Sequence, residues 1–508
     1  MKDIVLSPSS AELLGREFAD HSAVFRAHAA EQPDTIALAD EEGRVSWREL
    51  DDLVERIAAR LQGEGIGRGG AVAIVGLNSI AYAAAFLAAI RTGAAAAPLT
   101  SSATPEALAA MLKDSGASHL FADPAIEMDV PAGVERISLH DLRSWLPPEG
   151  TRATPVEIAP EDPFNIIYSS GTTGTPKGIV QSHQMRWNYL IRTAAFDRNA
   201  VALLSTPLYS NTTLVAFFPC LGQGGRVVLM KKFDARGFLE LSERERVTHT
   251  MLVPVQYRRI MAMPDFDSFD LSSYRAKFCT SAPFAAELKA DILKRWPGGL
   301  VEFYGMTEGG ASCILLAHEH PDKLHTVGRV APNSEMKLID EDGNEVAPGG
   351  IGEVVGRGPM MMKEYKGRPD ATRAAEWFDE HGRRFIRHGD VGRFDEDGFL
   401  ILMDRTKDMI ISGGFNIFPS DLEAVLAADP GVIEAAVVGM PHPDWGETPV
   451  GFVVLRPGAD RDAVLAAANG KLGKTQRLSA LHVVDQLPRS AIGKVLKREL
   501  RDRLDEGR

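Results

Sequence analysis

The sequence predicts an α/β protein: mostly parallel sheets covered by helices, then a distorted β-barrel from about residue 325 to 404, then a small α+β domain after Arg405. Three observations predict it. Short, continuously apolar strands alternate with helices as far as residue 305; shorter Gly-rich strands follow, and the texture changes again beyond Arg405. Continuous apolar strands bounded by helices are those of a mostly parallel sheet buried on both faces.

Residues 46–62 (SWRELDDLVERIAARLQ) space their apolar side chains as a helix does and meet Gly63, a helix stop. AVAIVG at 71–76 is a strand, 79–91 an Ala-rich helix and AAAAPL at 94–99 the next strand. The alternation continues through RVVLM (226–230), THTMLVP (248–254), RAKFCTSA (275–282) and LVEFYG (300–305). GEVVGRG and GFLILMD supply the short strands of the barrel section. Beyond Arg405, PSDLEAVLAAD reads as a helix, IEAAVVGM and VGFVVLRP as strands, RDAVLAAANGKL as a helix, LHVVD as a strand and KVLKRELRDRL as a last amphipathic helix. The expected division is 1–404 and 405–508.

A chain of 508 residues corresponds to about three folding units. Its 44% hydrophobic and 25% charged residues exclude wholesale disorder. With 56 basic against 69 acidic residues the net charge is -13, and no basic run is present, which sets nucleic-acid binding aside. Cys220, Cys279 and Cys313 lie far apart, without the spacing of a disulfide framework or zinc knuckle. The most apolar stretch, Ile80 to Ile90, is too short for a bilayer that needs about 20 residues. A soluble, cytoplasmic protein is expected.

The strongest local signal is NIIYSSGTTGTPKGIV at 165–180. An apolar strand enters a stretch of Ser, Thr and Gly, and a second strand leaves after Pro176, Lys177 and Gly178. Small residues let backbone N–H groups and hydroxyls close on an anion, and lysine adds a point charge. It is not a Walker A loop: counted from Gly171, Pro176 stands where glycine belongs and Gly178 where Ser or Thr would hold magnesium. GIGRGG at 65–70 satisfies GxGxxG but follows a helix and precedes a strand, so it reads as a connecting turn. The histidines of HEH at 318–320 read as solvated surface.

SSGTTGTPKG resembles the phosphate loop of the adenylate-forming superfamily, in its acyl- and aryl-CoA synthetase branch. Four further matches follow in the family's order: YGMTEGG at 304–310, HGDVGRFDEDGFL at 388–400, DRTKDMIISGGFNIFPSDLE at 404–423 and PRSAIGKVLK at 488–497. The resemblance implies two α/β subdomains plus a barrel, carrying a mobile C-terminal domain. It also implies two half-reactions. A carboxylate attacks ATP to give an acyl-adenylate and pyrophosphate; a thiol, usually of coenzyme A, then displaces AMP. Both nucleophile and α-phosphate are anions, so cations must offset their repulsion.

By the same resemblance Lys494 reaches the α-phosphate and attacking carboxylate, Thr307 hydrogen-bonds the α-phosphate, and Glu308 ligates magnesium. Ser169, Ser170, Gly171, Thr172, Thr173, Gly174 and Lys177 cradle the phosphates; Tyr304 stacks on adenine, and Asp390 and Arg405 hold the ribose. Lys407 takes the hinge position, and Gly413 and Gly414 line a pantetheine tunnel. Where the family often has a lysine near 411, this chain has Ile411.

His183 matches a histidine placed near the acid's carboxylate. Tyr209, Ser210, Val215, Phe217 and Met306 are the expected pocket residues. Many relatives follow the aromatic of this segment with histidine, here Ser210, and no aspartate between Pro207 and Pro219 is present to pair an amino acid's ammonium. The expected substrate is an apolar fatty or aryl acid. An enzyme that loads a carrier-protein thiol, or a nucleotide-binding protein of the same fold without turnover, stand as alternatives.

Overall fold

The computed structural model describes residues 8–169, 177–192, 195–405, 408–412, 415–443, 445–473, 476–490 and 493–505, and the backbone alone at Ser169, Arg192, Asp404, Arg405, Phe415, Asn416 and Asp505. Two large sheets dominate. The nine-stranded sheet runs, edge to edge, Arg329–Val330, Cys313–Leu316, Gly299–Tyr304, Ala276–Cys279, His249–Leu252, Val201–Leu204, Arg226–Leu229, Ile36–Ala39 and Arg44–Ser46. The six strands from Gly299–Tyr304 to Ile36–Ala39 are parallel. The seven-stranded sheet runs Glu364–Tyr365, Lys177–Ser182, Pro163–Ser169, Ala95–Pro98, Ala71–Val75, His119–Ala122 and Glu135–Ser138. Helices Ile80–Arg91 and Asn211–Gly222 share one core with both sheets, as their nearly unbroken apolar sequences require. The turn at 65–70 joins helix Trp47–Gly63 to strand Ala71–Val75, as its sequence predicts.

The barrel section consists of five antiparallel strands, Glu335–Ile339, Gly352–Arg357, Arg384–Phe394, Glu376–Phe378 and Leu400–Arg405. A register shift at Val391/Gly392 bends the long strand next to Asp390. A fourth sheet takes all its strands from beyond residue 409: Phe415–Ile417, Ile410–Ser412, Gly446–Leu455, Val432–His442 and Ala480–Val483. Helices Pro419–Ala427, Arg461–Lys471 and Lys497–Asp505 accompany it, over apolar clusters of its own. The last helix starts later than its sequence suggests. Arg489 and Val495 form a β-bridge, which holds Lys494 and its neighbours extended until Lys497.

Candidate active site

One cleft of about 2480 Å³ opens at the carboxyl ends of the parallel strands in the nine-stranded sheet. Tyr209 and Ser210 follow strand Val201–Leu204, Thr280 and Ser281 follow Ala276–Cys279, and Gly305 to Glu308 follow Gly299–Tyr304; all line it. Ligands of open α/β sheets bind outside these strand ends, where loops can converge without breaking the sheet. A single small-ligand pocket is roughly 300–1,000 Å³, so this volume suits more than one co-substrate.

The segment after Tyr304 is held from three sides. The Tyr304 hydroxyl donates to Asp390 Oδ2 at 2.8 Å and sits 3.1 Å from His388 Nδ1. Asp390 in turn is the cross-strand partner of Arg405. Gln181 Nε2 donates to the Thr307 carbonyl at 2.7 Å. Its own Oε1 accepts from Asn165 Nδ2 at 2.9 Å and from Arg186, which fixes the amide's orientation. Arg186 is buried with no carboxylate partner among the described residues, and burial brings its guanidinium down to about 10. Gly309 completes the segment at φ 77, where a Cβ would stand 1.5 Å from the Met360 carbonyl oxygen, so only glycine fits.

Glu308 is buried at the cleft wall, and its Oε1 accepts from the Tyr365 hydroxyl at 2.7 Å. Burial, followed by the Glu308 charge, drives the Tyr365 phenol upward, so Tyr365 remains a donor. The Lys177 ammonium lies 5.2 Å from the centroid of the same ring. Tyr365 thereby joins the lysine and the carboxylate. Glu308 Oε2 accepts no hydrogen bond from the described residues, which leaves an oxygen suited to a hard divalent cation.

Residues from beyond 485 form the facing wall: Arg489, Ser490, Lys494, Lys497 and Arg501. Of its basic side chains, Arg489, Lys497 and Arg501 are paired with Glu434, Glu423 and Asp408. Gly493, at φ 78, brings this wall against helix Pro254–Met261: a Cβ there would lie 2.7 Å from Val255 Cγ1.

Lys494, Lys177, Tyr304, Thr307, Glu308, Tyr209, Ser210, Val215 and Met306 thus share one cleft, and Asp390 adjoins it through Tyr304. Ser170, Gly171, Thr172, Thr173, Gly174, Lys407, Gly413 and Gly414 lie outside the described residues; Ser169 and Arg405 are described by backbone only, Ser169 pairing Lys177 across the hairpin. Two expectations are corrected. His183, the first residue of helix His183–Arg192, packs against Phe164 with ring centroids 4.9 Å apart and does not line the cleft. Neither of its ring nitrogens finds a partner among the described residues, and burial lowers its pKa to about 4, so it is a neutral core residue. Phe217 also lies in the core, on the opposite side of its helix from Val215. Sequence reading missed Tyr365, Gln181 and His388. Gln181 directly follows one quoted motif and His388 opens another, whereas Tyr365 carries no local signal.

Past Tyr209 and Ser210 the cleft is lined by Phe196, Val215, Met251, Phe278 and Phe303. Phe278 links the other two rings, with centroids 5.6 Å from Phe196 and 5.7 Å from Phe303. Asn188, Tyr189 and Thr212 add polar edges.

Comparison with known proteins matches residues 25–366 to the AMP-binding enzyme family model and residues 421–494 to that of the AMP-binding enzyme C-terminal domain. A feruloyl-CoA synthase from Amycolatopsis sp is 36% identical over 473 residues, covering 90% of this chain and 94% of that protein. An indoleacetate–CoA ligase from Aromatoleum aromaticum is 34% identical over 508 residues, covering 93% and 96%. Among solved structures, o-succinylbenzoate CoA synthetase (MenE) from Bacillus subtilis, in complex with its acyl-adenylate intermediate, superposes with a TM-score of 0.82 at 27% identity, covering 94% of this chain and 98% of that one.

Proposed function

The chain belongs to the AMP-binding enzyme family and is an ATP-dependent acid–CoA ligase acting through an acyl-adenylate; we propose that its acid is an aryl or arylalkyl carboxylic acid. The observation that carries this reading is the aromatic lining of the cleft by Phe196, Phe278 and Phe303, whose rings stand in mutual contact where an apolar ring could pack against them. The two relatives, a feruloyl-CoA synthase and an indoleacetate–CoA ligase, agree in name with an aromatic acid.

In the first half-reaction a carboxylate oxygen attacks the α-phosphorus as the bond to pyrophosphate breaks. Lys494 and Lys177 oppose the charge of the two anions, and the Thr307 segment, fixed by Gln181, faces the α-phosphate. Tyr304 and Asp390, joined by their hydrogen bond, hold the adenosine. Glu308 would hold a magnesium ion, since Tyr365 fixes one of its oxygens and the other is available; the ion would supply positive charge against that developing on pyrophosphate. In the second half-reaction the thiol sulfur of coenzyme A attacks the acyl carbon and AMP departs. We assign residues 1–404 to a body and 405–508 to a cap that turns about Lys407 between the two steps. No helix among the described residues is long and apolar enough to cross a membrane. Three buried, unbridged cysteines support placement in the reducing cytoplasm.

The test is pyrophosphate release with ATP, magnesium and a panel of acids. Cinnamic-type and indole-bearing acids are expected to exceed saturated straight-chain acids of equal carbon count by about tenfold in kcat/KM, the discrimination a shaped apolar pocket supplies. Preference for the straight chains would reject the aryl reading.

A further inference from the structure

Glu434 lies on strand Val432–His442 of the last sheet, outside the motifs that carry the family resemblance. Its two carboxylate oxygens are divided between two arginines. Arg258, on helix Pro254–Met261 of the body, contacts Oε1 at 2.6 Å; Arg489 contacts Oε2 at 3.1 Å. Arg489 also donates from Nη1 to the Gly493 carbonyl at 2.7 Å, and Gly493 immediately precedes Lys494. The same body helix carries Val255, against which Gly493 is seated. A continuous set of charge-assisted contacts therefore runs from the body to the backbone that bears the lysine. The Glu434 side chain is 17% exposed and Arg489 23%, so the central pair is only partly screened by solvent.

We propose that Arg258, Glu434 and Arg489 form a positioning relay, which holds Lys494 at the nucleotide during adenylation and must part when the cap turns for thioester formation. The proposal rests on the ligase reading above. Its distinctive consequence is asymmetry. The relay exists only while Arg258 faces Glu434, so weakening it slows the first half-reaction and spares the second. A merely structural ion pair would affect both steps together through loss of folded protein.

The experiment uses the full-length chain and measures two rates: pyrophosphate release from ATP and acid, and thioester formation from supplied acyl-adenylate and coenzyme A. Arg258→Ala is expected to slow pyrophosphate release about tenfold in kcat, on the order expected when a catalytic group loses its positioning, with thioester formation unchanged. Arg258→Lys retains most of the rate. Glu434→Gln reproduces the loss, and the double variant is no worse than either single one, because all three break one relay. Raised salt slows pyrophosphate release in the parent more than in Arg258→Ala. Equal loss in both steps, additive single losses, or an unchanged Arg258→Ala would overturn the relay. Parent protein that releases no pyrophosphate with any acid would instead reject the ligase reading, so the two failures are distinguishable.

Discussion

Tyr365 joins two charges of the cleft: its hydroxyl donates to Glu308 and its ring lies beside Lys177. Tyr365→Phe keeps the ring and removes the donor. Pyrophosphate release is expected to fall about tenfold, the loss of one charge-assisted hydrogen bond, with a higher magnesium requirement and little change in KM for the acid. A titration of rate against magnesium checks this; an unchanged magnesium dependence would separate Tyr365 from the metal. His183 gives a different kind of prediction. Burial holds both His183 and His249 near pKa 4, below the ordinary 6.5, so the unfolded chain binds more protons than the folded one between those values. Stability is therefore full above about pH 6.5 and declines as pH falls toward 4. In thermal melts His183→Gln is expected to lose less stability than the parent between pH 7 and 4.5; identical slopes would show that the buried imidazole is not the cause.

Helix Asn211–Gly222 explains why the acid pocket was only half legible. Residues two apart on a helix point to nearly opposite sides, so Val215 faces the cleft while Phe217 enters the core. An apolar run without polar punctuation does not reveal which side is which. Val215→Phe is expected to raise KM for the acid about tenfold and leave KM for ATP alone. Phe217→Ala is expected to cost about 3 kcal/mol in denaturant melts, with acid selectivity retained. The strands were legible for the opposite reason: runs such as AVAIVG and AAAAPL are apolar throughout because they are buried on both faces. His183 was misplaced because nearness to a loop in sequence does not say where a helix's first residue points. The late start of helix Lys497–Asp505 depends on the Arg489–Val495 bridge, a tertiary pairing that no helical periodicity encodes.

The molecule as a whole brings together residues hundreds of positions apart: Lys177 on one sheet, Thr307 and Glu308 at the end of another, Lys494 just before the last helix. The ordered motifs revealed these participants, because phosphate chemistry demands small residues, cations and a carboxylate in recognisable settings. Tyr365, Arg258 and Glu434 escaped because each acts through partners distant in sequence, with no local pattern to mark it. The division of work between body and cap is tested most directly by separating the two half-reactions in Lys494→Ala. Pyrophosphate release is expected to fall by roughly 10²-fold, the scale of losing one transition-state donor, while thioester formation from supplied acyl-adenylate proceeds at the parent rate. Equal losses in both half-reactions, or none in either, would contradict it.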